Sequence, residues 1–406
     1  LVQAGAVLTL NTMGTLTINN SAVHGLDNYG TVDNNGSIIL GNTTAIGAIG
    51  IVHRNGGTFN NKPDGIIQID RTLGAQAFYS NGLVNNEGAV EIGSNAAVSS
   101  EGIRLEGNTF NNKPAGSIKI DQTGSHAIRL VNTGTILNNE ALIEIGNQSD
   151  VRGNGIRIGS GCTFNNMAGG HIRVNRIGIY DIEGIPCLIN FGTFTNDANI
   201  AVGNDVLLYG QDGIFNAGSF SNSSTGIISI EKPWGNGIWN FSGNFQNAGK
   251  ITIKNIFYFE DGGFSTGILS TAAFTNQAGA EIHIDQVASG IISTRAFTNA
   301  GLIRMGENGP LAGSGIANIQ GANAIFNNNA GGDISIKQTS ADGIQNEANS
   351  TFNNNACATL TVFDNLNNAG TFTNTGLFTV NTTQTHTNSA LTNNGLIAYP
   401  QGNLIP

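Results

Sequence analysis

Thr109-Phe110-Asn111-Asn112-Lys113-Pro114-Ala115-Gly116-Ser117-Ile118-Lys119-Ile120-Asp121 decides how this sequence is read. An apolar residue is followed by two asparagines, then by a four-residue turn, then by a run in which isoleucine alternates with a polar residue. Alternation with period two sends one set of side chains inward and the other outward, as in a half-buried strand. The segment recurs along the chain. Its apolar-x-Asn core returns at Phe59-Asn60-Asn61, Val84-Asn85-Asn86 and Leu137-Asn138-Asn139, then at Phe164, Phe194, Phe220, Phe245, Phe274, Phe297, Phe326 and Phe352. Successive steps are 23 to 30 residues long. That length suits one coil of a β-helix rather than a helical repeat of about 34 residues.

Two more landmarks fill each coil. A strand follows the turn, as in Ile67-Gln68-Ile69, Ile143-Glu144-Ile145, Ile251-Thr252-Ile253 and Ile334-Ser335-Ile336. A Gly-Ile pair comes later, as at Gly102-Ile103, Gly155-Ile156, Gly237-Ile238 and Gly343-Ile344. Three short strands between Gly/Asn turns predict an all-β chain. The expected fold is a right-handed parallel β-helix, a β-solenoid of about 14 coils with roughly 26 residues per coil. The gap from the asparagine to the next strand alternates between four residues (Asn86 to Val90) and six (Asn112 to Ile118) through twelve coils. The repeating unit is therefore an alternating pair of coils. Stacking predicts an inner phenylalanine column and an asparagine ladder at the turn, where Asn tolerates unusual backbone angles and caps backbone groups.

The organisation expected along the chain is an irregular N-terminal segment at 1–30, a regular alternating β-helix at 31–354, and shorter coils at 355–406 with steps near 20 residues. The last segment reads as a fragment end or a cap. The start at Leu1 rather than Met fits a mature or excised piece of a longer chain.

Composition narrows the function. Of 406 residues, 57 are glycine and only 11% are charged, while 39% are hydrophobic. That is too much apolar material and too little charge for a disordered chain. The net charge of −10 and the lack of any Lys/Arg cluster argue against nucleic-acid binding. No apolar run reaches the roughly 18 residues that span a bilayer. Cys162, Cys187 and Cys357 show no C-x-x-C pair and no metal spacing. Cys162 and Cys187 lie about one coil apart, which permits a disulfide, and two buried core thiols are the plainer reading. No metal or cofactor site is expected.

Catalysis in a β-helix needs several acids, or acids with Arg or Lys, on one face of adjacent coils. The best recurring acids are Asp70, Asp121 and Asp285, each just after a strand. They return at best every second coil, about 10 Å apart by strand spacing, and Asn175, Glu231 and Lys337 occupy equivalent positions. The position reads as a tolerant turn site, and no catalytic residue is assigned. The six histidines share no common context, and the threonines before each phenylalanine form only one interrupted column.

One loop breaks the pattern. Phe257, Tyr258, Phe259 and Phe264 crowd a long segment near the only tryptophans, Trp234 and Trp239. These six residues form a candidate contact patch for protein or carbohydrate. Packing of the loop onto the coil body explains them equally well.

The phrases Asn35-Gly36-Ser37-Ile38, Asn247-Ala248-Gly249-Lys250-Ile251, Asn299-Ala300-Gly301-Leu302-Ile303 and Asn394-Gly395-Leu396-Ile397 resemble those of secreted bacterial β-helix exoproteins. Autotransporter passenger domains and filamentous-haemagglutinin-like adhesins use similar turns and strands. The resemblance implies an extracellular or cell-surface location. The function expected is a structural or adhesive segment of a large surface filament, not an enzyme. Its expected partners are copies of itself or other segments of the filament, and a surface glycan or protein receptor. The alternatives are a carbohydrate-active β-helix enzyme, a lyase or hydrolase, and a glycan-binding module.

Overall fold

The computed structural model describes residues 1–178, 185–203, 212–256, 265–319, 321, 323–380, 386–388 and 391–398. Among these residues every regular element is a β-strand of three to five residues. The chain divides into two compact units, Leu1–Gln211 and Asp212–Pro406. Each unit is a parallel β-solenoid with three sheets, so the all-β, parallel β-helix read from the repeat is the fold observed. The first unit contributes eight, eight and seven strands to the three sheets, and the second contributes eight to each.

The first sheet carries the Phe-x-Asn strands. In strand Thr109–Asn112 the residues alternate, with Phe110 and Asn112 buried and Thr109 and Asn111 half-exposed. Coils stack in register: Phe110 faces Leu137 and Asn112 faces Asn139. The strand after the turn, Ser117–Ile120, forms the second sheet and buries Ile118 and Ile120. The Gly-Ile strands, such as Ile103–Glu106, form the third. Apart from strands near the two ends, such as Val7–Leu10 and Thr15–Ile18, the strands give their inner residues to a core that no single coil could close alone.

The asparagine column sits at the inner end of the first-sheet strand and is fully buried. Each amide Nδ2 donates to the Oδ1 of the next asparagine. In the first unit the bonds run from Asn34 through Asn61, Asn86, Asn112, Asn139 and Asn166 to Asn196, each 2.7–2.8 Å long. In the second they run from Asn222 through Asn247, Asn276, Asn299, Asn328, Asn354 and Asn374 to Asn393, at 2.7–2.9 Å. A buried amide without partners is costly, and head-to-tail pairing removes that penalty. All donors point the same way along the chain, so every link polarises the next.

The same amides serve both corner types. At a short corner the side chain accepts from the backbone, as Gly36 N donates to Asn34 Oδ1 at 3.2 Å, or donates to it, as Asn247 Nδ2 does to Gly249 O at 3.2 Å. At a long corner it donates into the turn, as Asn61 Nδ2 does to Gly65 O at 3.2 Å. The long turns close on themselves, with Gly65 N to Lys62 O at 2.8 Å and Gly116 N to Lys113 O at 2.7 Å. A Cβ at Gly65 would lie 2.3 Å from Asn61 Oδ1 and 2.5 Å from Asn34 O, so only glycine fits there.

The phenylalanine column differs from expectation in one unit. In the second unit Phe220, Phe245, Phe274, Phe297, Phe326, Phe352 and Phe372 stack continuously, with centroids 4.5–5.0 Å apart and planes within 8°. In the first unit Val84 and Leu137 interrupt the column, leaving neighbouring phenylalanines two coils apart. Phe78 of the third sheet fills the gap, edge-on to Phe59 at 5.7 Å and to Phe110 at 6.2 Å. Phe164 and Phe194 stack there, at 5.0 Å. Cys162 and Cys187 are both buried and no disulfide joins them. Cys162 Sγ lies 3.2 Å from Asn132 O, and burial pushes its thiol pKa up.

Candidate functional site

With the asparagine ladder paired, the outer faces are where a partner would meet the protein. The first sheet's outer face in the first unit is a second amide ladder. Asn85 donates to Asn60, Asn111 to Asn85, Asn138 to Asn111 and Asn165 to Asn138, at 2.8–3.0 Å. It is polar and largely self-paired. The second sheet's outer face in this unit alternates in sign, with Glu91 beside Lys119, Lys119 beside Glu144 and Glu144 beside Arg173. Opposite charges on neighbouring strands neutralise each other locally.

The third sheet is different. Its strands read Gly-Ile-x-Asn or a close variant, with the isoleucine and the last residue inside, so period two sends x outward. In the second unit x is Phe215, Trp239, Leu269, Ile292 and Ala317 in successive coils. Phe215, Trp239, Leu269 and Ile292 remain half-exposed. Phe241, one step beyond the strand, is 47% exposed. Phe215, Trp239 and Phe241 form an aromatic triad with centroids 5.1–5.5 Å apart. Trp239 Nε1 is buried and has no hydrogen-bond partner. The triad and the aliphatic residues beyond it make a contiguous apolar stripe on an otherwise polar surface, the kind of patch that marks a contact site.

The expected patch is thus only partly placed. Trp239 stands at the centre of the triad and Trp234 is half-buried nearby in sequence. Phe257, Tyr258, Phe259 and Phe264 lie outside the described residues. The sequence reading missed Phe215, Phe241, Leu269 and Ile292. Their signal was present: an apolar residue between Gly-Ile and Asn or Ser occupies an outward position.

The recurring acids do not converge. Asp70 accepts from Asn95 N and Nδ2, both at 3.1 Å, and from Gln68 Nε2 at 2.9 Å. Asp121 accepts from Gln148 N at 2.8 Å, and Asp285 from Asn308 N and Nδ2 at 3.0 Å. Each buried carboxylate caps backbone N–H groups of the next coil's loop, a structural task. Asp212 does the same for Asn236, at 2.9 Å, and burial raises its pKa to about 6. The grooves of 330 to 470 Å³ that described residues line at Ser99 and Asp150, at Leu1 and Leu26, at Ile256 and Pro310, and at Gln345 and Ala369 each gather at most one carboxylate. No cluster of three His, Cys, Asp or Glu suited to a metal occurs among the described residues. No helix among them is long and apolar enough to cross a membrane.

No family model and no curated protein matches the sequence. Among solved structures the chain is similar to the crystal structure of a TibC-catalysed hyper-glycosylated fragment of TibA, at 11% identity and a TM-score of 0.28, over 95% of this chain and 97% of that one.

Proposed function

We propose that the chain is a structural and adhesive segment of a large secreted bacterial surface filament, and that it associates with copies of itself or with neighbouring segments. The apolar stripe of the second unit carries this reading. Burying the exposed parts of Phe215, Trp239, Phe241, Leu269 and Ile292 against a partner yields on the order of 25 cal/mol for each Å² removed from water. A flat stripe on a sheet suits a lateral contact with another sheet or loop better than a substrate cleft. Acids assigned to capping leave little for a lyase or hydrolase mechanism to use.

Negative-stain electron microscopy of the purified protein tests this. Side-by-side pairs or bundles are expected for the wild type, and dispersed particles for a Phe215→Ser/Trp239→Ser/Phe241→Ser variant. Dispersed wild-type particles at all concentrations would remove the self-associating part of the proposal. A glycan-binding module is the second reading, favoured by the aromatic triad, since sugar rings stack on exposed aromatic faces. Glycan-array binding lost in Trp239→Ala with self-association retained would favour it.

A further inference from the structure

Three arginines stand next to one another on the outer face of the third sheet in the first unit. Arg104 is in register with Arg129, and Arg129 with Arg157. Adjacent strands are about 4.8 Å apart, and like charges directly opposite each other are destabilising. The second sheet of the same unit avoids this by alternating its charges. The arginine run does not.

Two of the three are neutralised. Arg104 pairs with Glu106 at 2.6 Å, and Arg129 with Glu101 at 3.0 Å. Glu101 is buried and saturated, because it also accepts from Ser100 and Gln76. Glu106 also accepts from Tyr79 Oη. Neither carboxylate pairs with Arg157. Arg157 makes no ion pair among the described residues. Its guanidinium lies over the Phe191 ring, 5.1 Å from the centroid. That contact leaves its N–H groups without a hydrogen-bond acceptor among the described residues. A half-buried guanidinium with an open edge, beside a second arginine, is a preorganised fork for a two-oxygen anion.

We propose that Arg157, seconded by Arg129, is an anion-binding site for a sulfate or carboxylate group of an acidic polysaccharide. An anion there would pair with the one arginine of the run that has no carboxylate partner among the described residues and satisfy donors that the protein leaves open. His126 adjoins both arginines. Burial and the two positive charges lower its pKa to about 4, and its Nδ1 accepts from Asn154 N at 3.1 Å. It is neutral at pH 7 and reports on the site, since an anion bound beside it raises its pKa. The site is separable from the adhesive reading: it holds an anion whether or not the chain self-associates.

The test is calorimetric titration of the whole chain at low ionic strength with a heparin-derived hexasaccharide, a galacturonate hexamer and uncharged maltohexaose. Saturable binding of at least one anionic hexamer is expected, with none of maltohexaose; binding of the heparin hexasaccharide alone points to sulfate, and binding of the galacturonate hexamer shows that carboxylate suffices. Arg157→Gln should weaken it at least tenfold with an unchanged circular-dichroism spectrum, and Arg157→Lys should restore only part of it. Lys119→Gln, on the outer face of the second sheet, should leave binding intact. In NMR the His126 ring should titrate at higher pH once the hexamer is bound. No binding of either anion, equal binding by Arg157→Gln, or equal weakening by Lys119→Gln would overturn the proposal.

Discussion

The two units each bury an asparagine ladder, and they differ in their phenylalanine columns and in what they show outside. Both bury an asparagine ladder with the same spacing and direction. Both use Gly-Ile strands for the third sheet. Yet the outward positions of those strands include Arg104, Arg129 and Arg157, beside Tyr79 and Ile189, in the first unit, and Phe215, Trp239, Leu269 and Ile292 in the second. The inner positions are held by hydrogen bonding and packing between coils, so they vary little. The outer position touches neither constraint and is free to carry chemistry.

The core also differs, and substitutions sharpen that contrast. The ladder should be equally important in both units. Asn112→Leu in the first and Asn276→Leu in the second each orphan a donor and an acceptor. Each should lower the stability of its unit by about 3–5 kcal/mol in denaturant unfolding. A much smaller loss in either unit would show that the ladder does not bear the structure there.

The phenylalanine columns should respond differently. Val84→Phe restores the apparent consensus of the first unit, but Phe78 already occupies that space between Phe59 and Phe110. It should destabilise by about 1–3 kcal/mol through overpacking. A stabilised variant would mean that the alternation is not set by Phe78.

The pH responses have opposite signs. In the second unit the folded-state pKa of Asp212 is raised to about 6. Its contribution is therefore fully present below the unfolded value near 4 and is lost as pH rises through 6. Asp212→Asn keeps the acceptor that Asn236 uses and removes the buried charge. It should stabilise the second unit by about 1–3 kcal/mol at pH 8 and by little at pH 4.

In the first unit burial lowers the pKa of His53, whose Nδ1 accepts from Asn28 Nδ2 at 3.0 Å and whose Nε2 donates to Leu83 O at 3.0 Å. The lowered value means that stability is intact above pH 6.5 and declines as pH falls, because the unfolded state takes up the proton first. His126 adds to this between 6.5 and about 4. Asparagine is the commoner ladder residue in the column of His53. His53→Asn should change stability at pH 7.5 by less than about 1 kcal/mol and reduce the acid loss, as read by hydrogen exchange corrected for intrinsic rates. An unchanged acid loss would remove His53 from the response.

The comparison also shows what could be read before the structure. The coil length, the three strands and the long and short corners were legible because Phe110, Asn112 and Ile118 repeat with the spacing that stacking demands. The depth of the asparagine ladder was not, because a turn asparagine and a buried strand-end asparagine have the same sequence. The capping role of Asp70 depends on where the next coil's loop passes, which no local pattern encodes. The stripe was legible in principle. Phe215 and Trp239 lie at an outward position, but the aromatic loop at 257–264 drew the reading away from the strand face. The arginine run needed register, since Arg104, Arg129 and Arg157 become neighbours only when coils are stacked.

The central claim is that the outer face of the third sheet in the second unit mediates assembly. Sedimentation velocity of the wild type and of Phe215→Ser/Trp239→Ser/Phe241→Ser, across a wide concentration range, tests it most directly. The wild type should shift to larger species as concentration rises, and the variant should stay monomeric with an unchanged circular-dichroism spectrum. A wild type that remains monomeric throughout, or a variant that associates equally well, would contradict the claim.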